Sequence, residues 1–219
     1  MKRTHEGNWR AIVVASVSLA IGACASPAPV HLHALSADVP PATPGAAVMP
    51  APARGVVIEP VSVPRHADIP QLVFTSADGV SQLSEHHRWR APLADEIAAA
   101  LSQRLQARHG VMDVGRIAVP EGMPVMRVRV DVQRFEALPG SGEVLVSAAW
   151  SLRQADSRHA ALQCAAHVRR PVAAADPDAL VRAYRTALDA LGDQIGRALQ
   201  DLMQAGRAAT APAMCPPAA

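Results

Sequence analysis

The sequence predicts an α/β two-layer sandwich: a mixed, mainly antiparallel sheet with two long amphipathic helices packed on one face. Three observations carry this. Three successive segments between residues 126 and 168 alternate apolar and polar side chains with period two, the pattern of an antiparallel meander with one buried face. Leu180, Tyr184, Leu188, Leu191, Ile195, Leu199 and Leu202 are spaced by three or four, which makes one long helical stripe. Leu93, Ile97, Leu101 and Leu105 recur every four residues and make a second. Two helical stripes and one sheet face all need cover, and a two-layer sandwich buries all three.

Taken in order, residues 1–23 read as a cleaved leader. Lys2, Arg3 and Arg10 form a positive start, Ala11 to Ala23 is apolar and uncharged, and small residues precede Cys24. Thirteen residues at about 1.5 Å each span about 20 Å, short of the roughly 30 Å hydrocarbon core. Residues 24–54 are rich in proline and alanine and read as a tether. Within it, for Val30 to Leu35, a first edge strand and a plain linker both fit. The folded domain is expected over 55–206 and an irregular tail over 207–219.

Gly55 to Pro64 reads as a strand, with Pro60 demoting it to an edge or marking a bulge. Pro70 to Phe74 is a second short extended piece. Pro92 opens the first helix, where its missing N–H costs nothing, and Gly110 closes it near His109. The meander's inward residues are Met126, Val128, Val130 and Val132, then Val144, Val146, Ala148, Trp150 and Leu152, then Leu162, Cys164, Ala166 and Val168. Asp176-Pro177-Asp178 starts the second helix: an N-cap, a proline at the first position and an acid facing the dipole.

Composition narrows the function classes. With 21 basic and 19 acidic residues the net charge is +2, which makes no electrostatic case for nucleic acid. Aromatic residues are 3% of the chain, so the core has to come from Val, Leu and Ala. Of three cysteines, Cys24 ends the leader; Cys164 and Cys215 remain. A bridge between them and a buried thiol with a free tail cysteine both fit.

Two patterns resemble known families. Ile21-Gly22-Ala23-Cys24 resembles a lipoprotein lipobox, which implies that Cys24 carries a covalent lipid such as palmitate and becomes the first mature residue. Ala25 and Ser26 follow, with no aspartate after the cysteine, which implies sorting to the outer membrane. The segment Pro70-Gln71-Leu72-Val73, followed by Glu85-x-x-Arg88-Trp89-x-x-Pro92-Leu93, resembles the ABC-type transport auxiliary lipoproteins, the PqiC (YmbA-like) family. The resemblance covers roughly residues 30–204. The Tyr-x-Leu first strand of the family is represented only by His31-Leu32-His33, and the proline-rich stretch from Val39 to Ala53 is longer than usual.

That resemblance implies a non-catalytic lipoprotein, periplasmic and anchored in the outer membrane. Its partners would be an MCE-domain protein and an inner-membrane permease that move lipids between the membranes. It would be the docking component, with the ring-shaped assemblies of the MCE-domain partner matched by a homo-oligomer of this chain. A periplasmic lipid carrier with an internal pocket is the alternative. The small strand-face residues Ala148 and Ala166 favour close helix packing over such a cavity.

The motif residues admit two roles. Glu85 and Arg88, three apart, are read as a pair on one helical turn, with Trp89 packing between that turn and the sheet. Arg88, Trp89 and Arg90 either fix the entry to the helix or anchor a partner. Other chemistry finds little support. His31, His33, His86 and His87 read as surface histidines, without a third ligand at metal-binding spacing. Gly140-Ser141-Gly142 lacks the flanks of a nucleophile turn. No glycine-rich phosphate loop precedes a helix, and no cofactor other than the lipid on Cys24 is expected. Arg127, Arg129 and Arg134 form a stripe that is either a solvated sheet face or a contact for acidic lipids or a partner.

Overall fold

The structure is a computed structural model describing residues 28–36, 54–76, 78–158, 161–173, 176–205 and 215. The leader and Cys24 lie outside the described residues. Among the described residues, eight strands and two helices follow in the order β1 (His31–His33), β2 (Gly55–Ile58), β3 (Gln71–Thr75), β4 (Ser81–Trp89), α1 (Leu93–His109), β5 (Met112–Asp113), β6 (Val125–Leu138), β7 (Glu143–Gln154), β8 (Leu162–Pro171) and α2 (Pro177–Ala205). The architecture is the expected α/β sandwich, with the strands divided between two mixed sheets.

The larger sheet has the order β5-β2-β6-β7-β8. Its meander β6–β7–β8 is antiparallel, and β2 joins β6 in parallel. Val128 faces Leu152, and Trp150 faces Cys164, so the period-two apolar set lies on one face. A register shift between Val132 and Arg134 carries the alternation over to Phe135, which is buried. The helices cover this face: α2 packs on β7 and β8, and α1 packs on α2 and β5.

Pro60 sits where no ladder amide is needed. The Gly55 and Glu59 amides donate to the Pro124 and Val128 carbonyls, so position 60 faces away from β6, past the end of β5. The next amide to donate to β6 is that of Ser62, one residue late. Strand β2 stops at Ile58, and pairing with β6 resumes at Ser62, which bridges Asp131. The proline therefore marks a bulge-like interruption. Strand β2 is not an edge, because the two residues of β5 pair along its other side.

The smaller sheet, β1-β4-β3, holds the main departure from the sequence reading. Residues 81–89 form a nine-residue strand, where a helical turn at Glu85–Arg88 was expected. The segment Ser-Gln-Leu-Ser-Glu-His-His-Arg-Trp has only two large apolar residues, so it shows no period of its own. Its conformation is set by pairing with β3 on one side and β1 on the other. Residues three apart in a strand point to opposite faces, so Glu85 and Arg88 do not pair.

Helix α1 begins after Pro92, whose carbonyl accepts the amides of Asp95 and Glu96 at 2.9 and 3.0 Å. It ends at Gly110, left-handed at φ 62°, whose amide donates to the Gln106 carbonyl. Asp176 caps α2, its carboxylate accepting the Ala179 amide at 2.7 Å. The helices meet at Gly192 and Gly196, where added Cβ atoms would lie 2.9 Å from the Arg104 side chain and 2.3 Å from the His109 ring. Arg104 grips Asp193 with two hydrogen bonds, at 2.8 and 2.6 Å, across this contact. That pair holds the Asp193 carboxyl below the usual carboxylate range, and the His109 hydrogen bond adds to the effect.

Candidate functional site

The strand pairing β3–β4 brings the two halves of the sequence motif together. Gln71 is the register partner of Arg88, and the Trp89 amide donates to the Pro70 carbonyl at 2.8 Å. Pro70 and Gln71 thus hold the end of β4, while Pro92 and Leu93 begin α1 directly after it. Leu93 is buried in the core. Glu85 is exposed, and Arg88 is half-buried with an unpaired buried Nε.

Trp89 is 7% exposed and does not present a surface anchor. Its ring meets Phe135 and Tyr184 edge-on, with centroids 6.1 and 6.3 Å away, and those two rings stack at 4.1 Å. One aromatic cluster therefore ties the small sheet, the large sheet and α2 together. Burial pushes the Tyr184 phenol well above its ordinary range, and the Glu136 charge adds to this. Arg90 is exposed, with its guanidinium 3.5 Å from Glu96 and 3.4 Å from the Ser36 hydroxyl.

Beside this cluster a half-open, mainly apolar cleft of about 360 Å³ lies between the small sheet and the end of β6, with Leu72, Leu83, Trp89, Phe135 and Tyr184 in its wall. Ala148 and Ala166, whose small size led to the expectation of close helix packing over a cavity, are buried on the face of β7 and β8 that α2 covers. The cleft opens where two sheets diverge, which residue size on the meander strands does not report.

The histidines are also rearranged by tertiary structure. His31 and His33 pair with His87 and Trp89 in the parallel β1–β4 register. His33 Nε2 lies 2.9 Å from His87 Nδ1, and His31 stacks on His87 at 5.0 Å. His33 is largely buried, contrary to its reading as a surface residue. Burial lowers its pKa, His87 lowers it further, and Asp178 opposes them. Among the described residues, no group of three or more His, Cys, Asp or Glu side chains is arranged to hold a metal.

The arginine stripe divides at the bulge. Arg134 pairs with Glu136, its Nε 2.6 Å from the carboxylate. Arg127 and Arg129 instead join Arg153 and Arg158, which the one-strand pattern did not single out. Arg127 and Arg153 are direct cross-strand partners, a relation visible only once the register is known. Cys164 and Cys215 form a disulfide, with Cα atoms 5.6 Å apart.

No helix among the described residues is long and apolar enough to cross a membrane. Residues 33–196 match the family model described as the ABC-type transport auxiliary lipoprotein component. Among solved structures, a crystallised protein described as uncharacterized superposes with a TM-score of 0.55 at 18% identity, covering 69% of this chain and 95% of its own. Protein XCC0632 from Xanthomonas campestris, of the DUF330 family model, superposes with a TM-score of 0.54 at 19% identity, covering 71% of this chain and 91% of its own. At these identities the likeness is one of fold. No curated protein matches the sequence.

Proposed function

The chain belongs to the ABC-type transport auxiliary lipoprotein family, and we propose that it works as the outer-membrane-anchored, periplasmic docking component of an MCE-type intermembrane lipid transporter. The family is one of transport auxiliary lipoproteins and not of enzymes. The observation that carries the reading is the joint presence of this domain and the lipobox-like sequence ending at Cys24. Two or three acyl chains, each methylene contributing about 0.8 kcal/mol, suffice for stable anchoring. The proline-rich tether then sets how far the domain stands from the membrane.

Burial of Trp89 moves the candidate contact surface. The exposed apolar side chains Val30, Leu32, Val80 and Leu83 lie on or beside the small sheet, along with exposed His86 and Arg90. This is the surface we assign to the MCE-domain partner, engaged by a homo-oligomer of the chain that repeats one contact. Photo-crosslinkers at Leu32, Leu83, His86 and Arg90 in cells are expected to capture an MCE-domain protein. Absence of such adducts from all four positions, with the protein correctly fractionated to the outer membrane, would overturn the docking role.

The cleft of about 360 Å³ favours a second reading, a lipid carrier, because its size and apolar wall suit part of an acyl chain. Native mass spectrometry of the delipidated protein separates the two. Retained phospholipid supports the carrier, and an empty chain supports docking alone.

A further inference from the structure

We infer that the cleft on the outer face of the large sheet, walled by Arg127, Arg129, Arg153 and Arg158, binds a phosphate group, carried by a phospholipid or free in solution. The cleft encloses about 240 Å³ and also includes Glu59 and Ser151. Arg127 and Arg153 face each other across β6 and β7. Like charges directly opposed in a sheet are destabilising. Arg129 stands two residues along the same face as Arg127, and Arg158 comes from the turn after β7.

One carboxylate is set among these four guanidinium groups. Glu59 lies 2.9 Å from Arg153 and 3.9 Å from Arg127. The Ser157 carbonyl takes a further Arg153 hydrogen bond at 2.9 Å. Arg129 and Arg158 have no ion-pair or hydrogen-bond partner among the described residues, and both are exposed. The Arg127 Nε is buried without an acceptor. Asp131, the next outward residue of β6 after Arg129, is not within ion-pair distance of it.

The cluster is therefore short of negative charge and short of acceptors in one place. Guanidinium groups present planar pairs of donors that match phosphate oxygens two at a time, and several forks converging on one cleft suit a group with at least two free oxygens. A carboxylate offers fewer acceptor directions than this donor set supplies. The site is on the opposite side of the sheet from the helices and the aromatic cluster, so it stands independently of the docking surface.

The test is calorimetric titration of the purified full chain at fixed 150 mM chloride, about physiological ionic strength. The probes are inorganic phosphate and dihexanoyl-phosphatidylglycerol below its micelle threshold. Saturable binding of at least one is expected. The double variant Arg129→Gln/Arg158→Gln should weaken it about tenfold or more, while Arg65→Gln, an exposed arginine elsewhere, leaves it unchanged. Arg129→Lys, which keeps the charge but loses the fork, should weaken it by less than the double variant. Phosphate binding without lipid binding identifies a free ion, and lipid binding with weak phosphate competition identifies a headgroup. No saturable binding of either probe, or equal weakening by Arg65→Gln, overturns the inference. Circular dichroism of each variant verifies that the fold is retained.

Discussion

The buried Glu96 carboxylate accepts a hydrogen bond from the backbone amide of Leu35, 61 residues earlier, at 2.8 Å. It ties the chain leaving β1 to the first turn of α1. The same carboxylate lies 3.5 Å from Arg90. Glu96 is 2% exposed, so water cannot replace either contact. Its place in the first helical turn also complements the helix dipole. This contact, together with the β1–β4 pairing, fastens the start of the domain to its core.

Glu96→Ala is therefore expected to lower stability by about 1.5–3 kcal/mol, the range for a hydrogen bond to a charged group. Glu96→Gln retains an acceptor oxygen and should cost less. Urea denaturation of both variants checks the order; equal loss in the two would show that charge, and not the hydrogen bond to Leu35, carries the effect.

Trp89→Ala removes the ring that bridges Phe135 and Tyr184. The expected loss is about 3–5 kcal/mol, from transfer and cavity terms together. Trp89→Phe should recover part of it. A melt showing no change for Trp89→Ala would contradict its place in the core.

Gly196→Ala puts a methyl where the His109 ring stands, at a distance no real contact tolerates. The ring or the helices must shift, and about 1–3 kcal/mol of destabilisation is expected. Combining it with His109→Ala should relieve most of that cost, so a double-mutant cycle by chemical denaturation reads the coupling.

The Cys164–Cys215 bridge closes a loop of 51 residues. The loop-entropy model assigns such a closure about 4 kcal/mol. Reduction should lower the melting temperature, and intact mass should show two alkylations only after reductant. Two alkylations without reductant would mean that the bridge is absent.

His33 carries the pH prediction. Burial and His87 depress its pKa, Asp178 opposes them, and His31 and Arg185 contribute smaller depressions. A histidine whose folded pKa lies below its unfolded value of about 6.5 binds fewer protons when folded. Its stabilising contribution is present above that value and is lost as pH falls through the folded pKa. Stability is thus expected to decline below about pH 6.5, and His33→Asn should flatten this slope. Urea midpoints measured between pH 7.5 and 5 compare the slopes directly.

Much of the fold was legible in the sequence because its signals are periodic and local. Leu93 to Leu105 and Leu180 to Leu202 mark helices by spacing, and Pro92, Gly110 and Asp176 mark their ends by backbone chemistry. The strands β6, β7 and β8 declare an inner face by alternation, since each apolar residue needs the same side covered. The motif from Pro70 to Leu93 identified the family without revealing the strand within it.

Tertiary structure alone decided what depended on register and on partners distant in sequence. Strand β4 has almost no apolar period, and only β1 and β3 beside it make it extended. Pairing of Gln71 with Arg88, stacking of His31 on His87, and the convergence of Arg127 with Arg153 arise from neighbours that no local pattern encodes. The same holds for Gly192 and Gly196, whose meaning lies in the helix that approaches them. A side chain's type and spacing determine which face it seeks, while its contacts are determined by what the rest of the chain brings to that face.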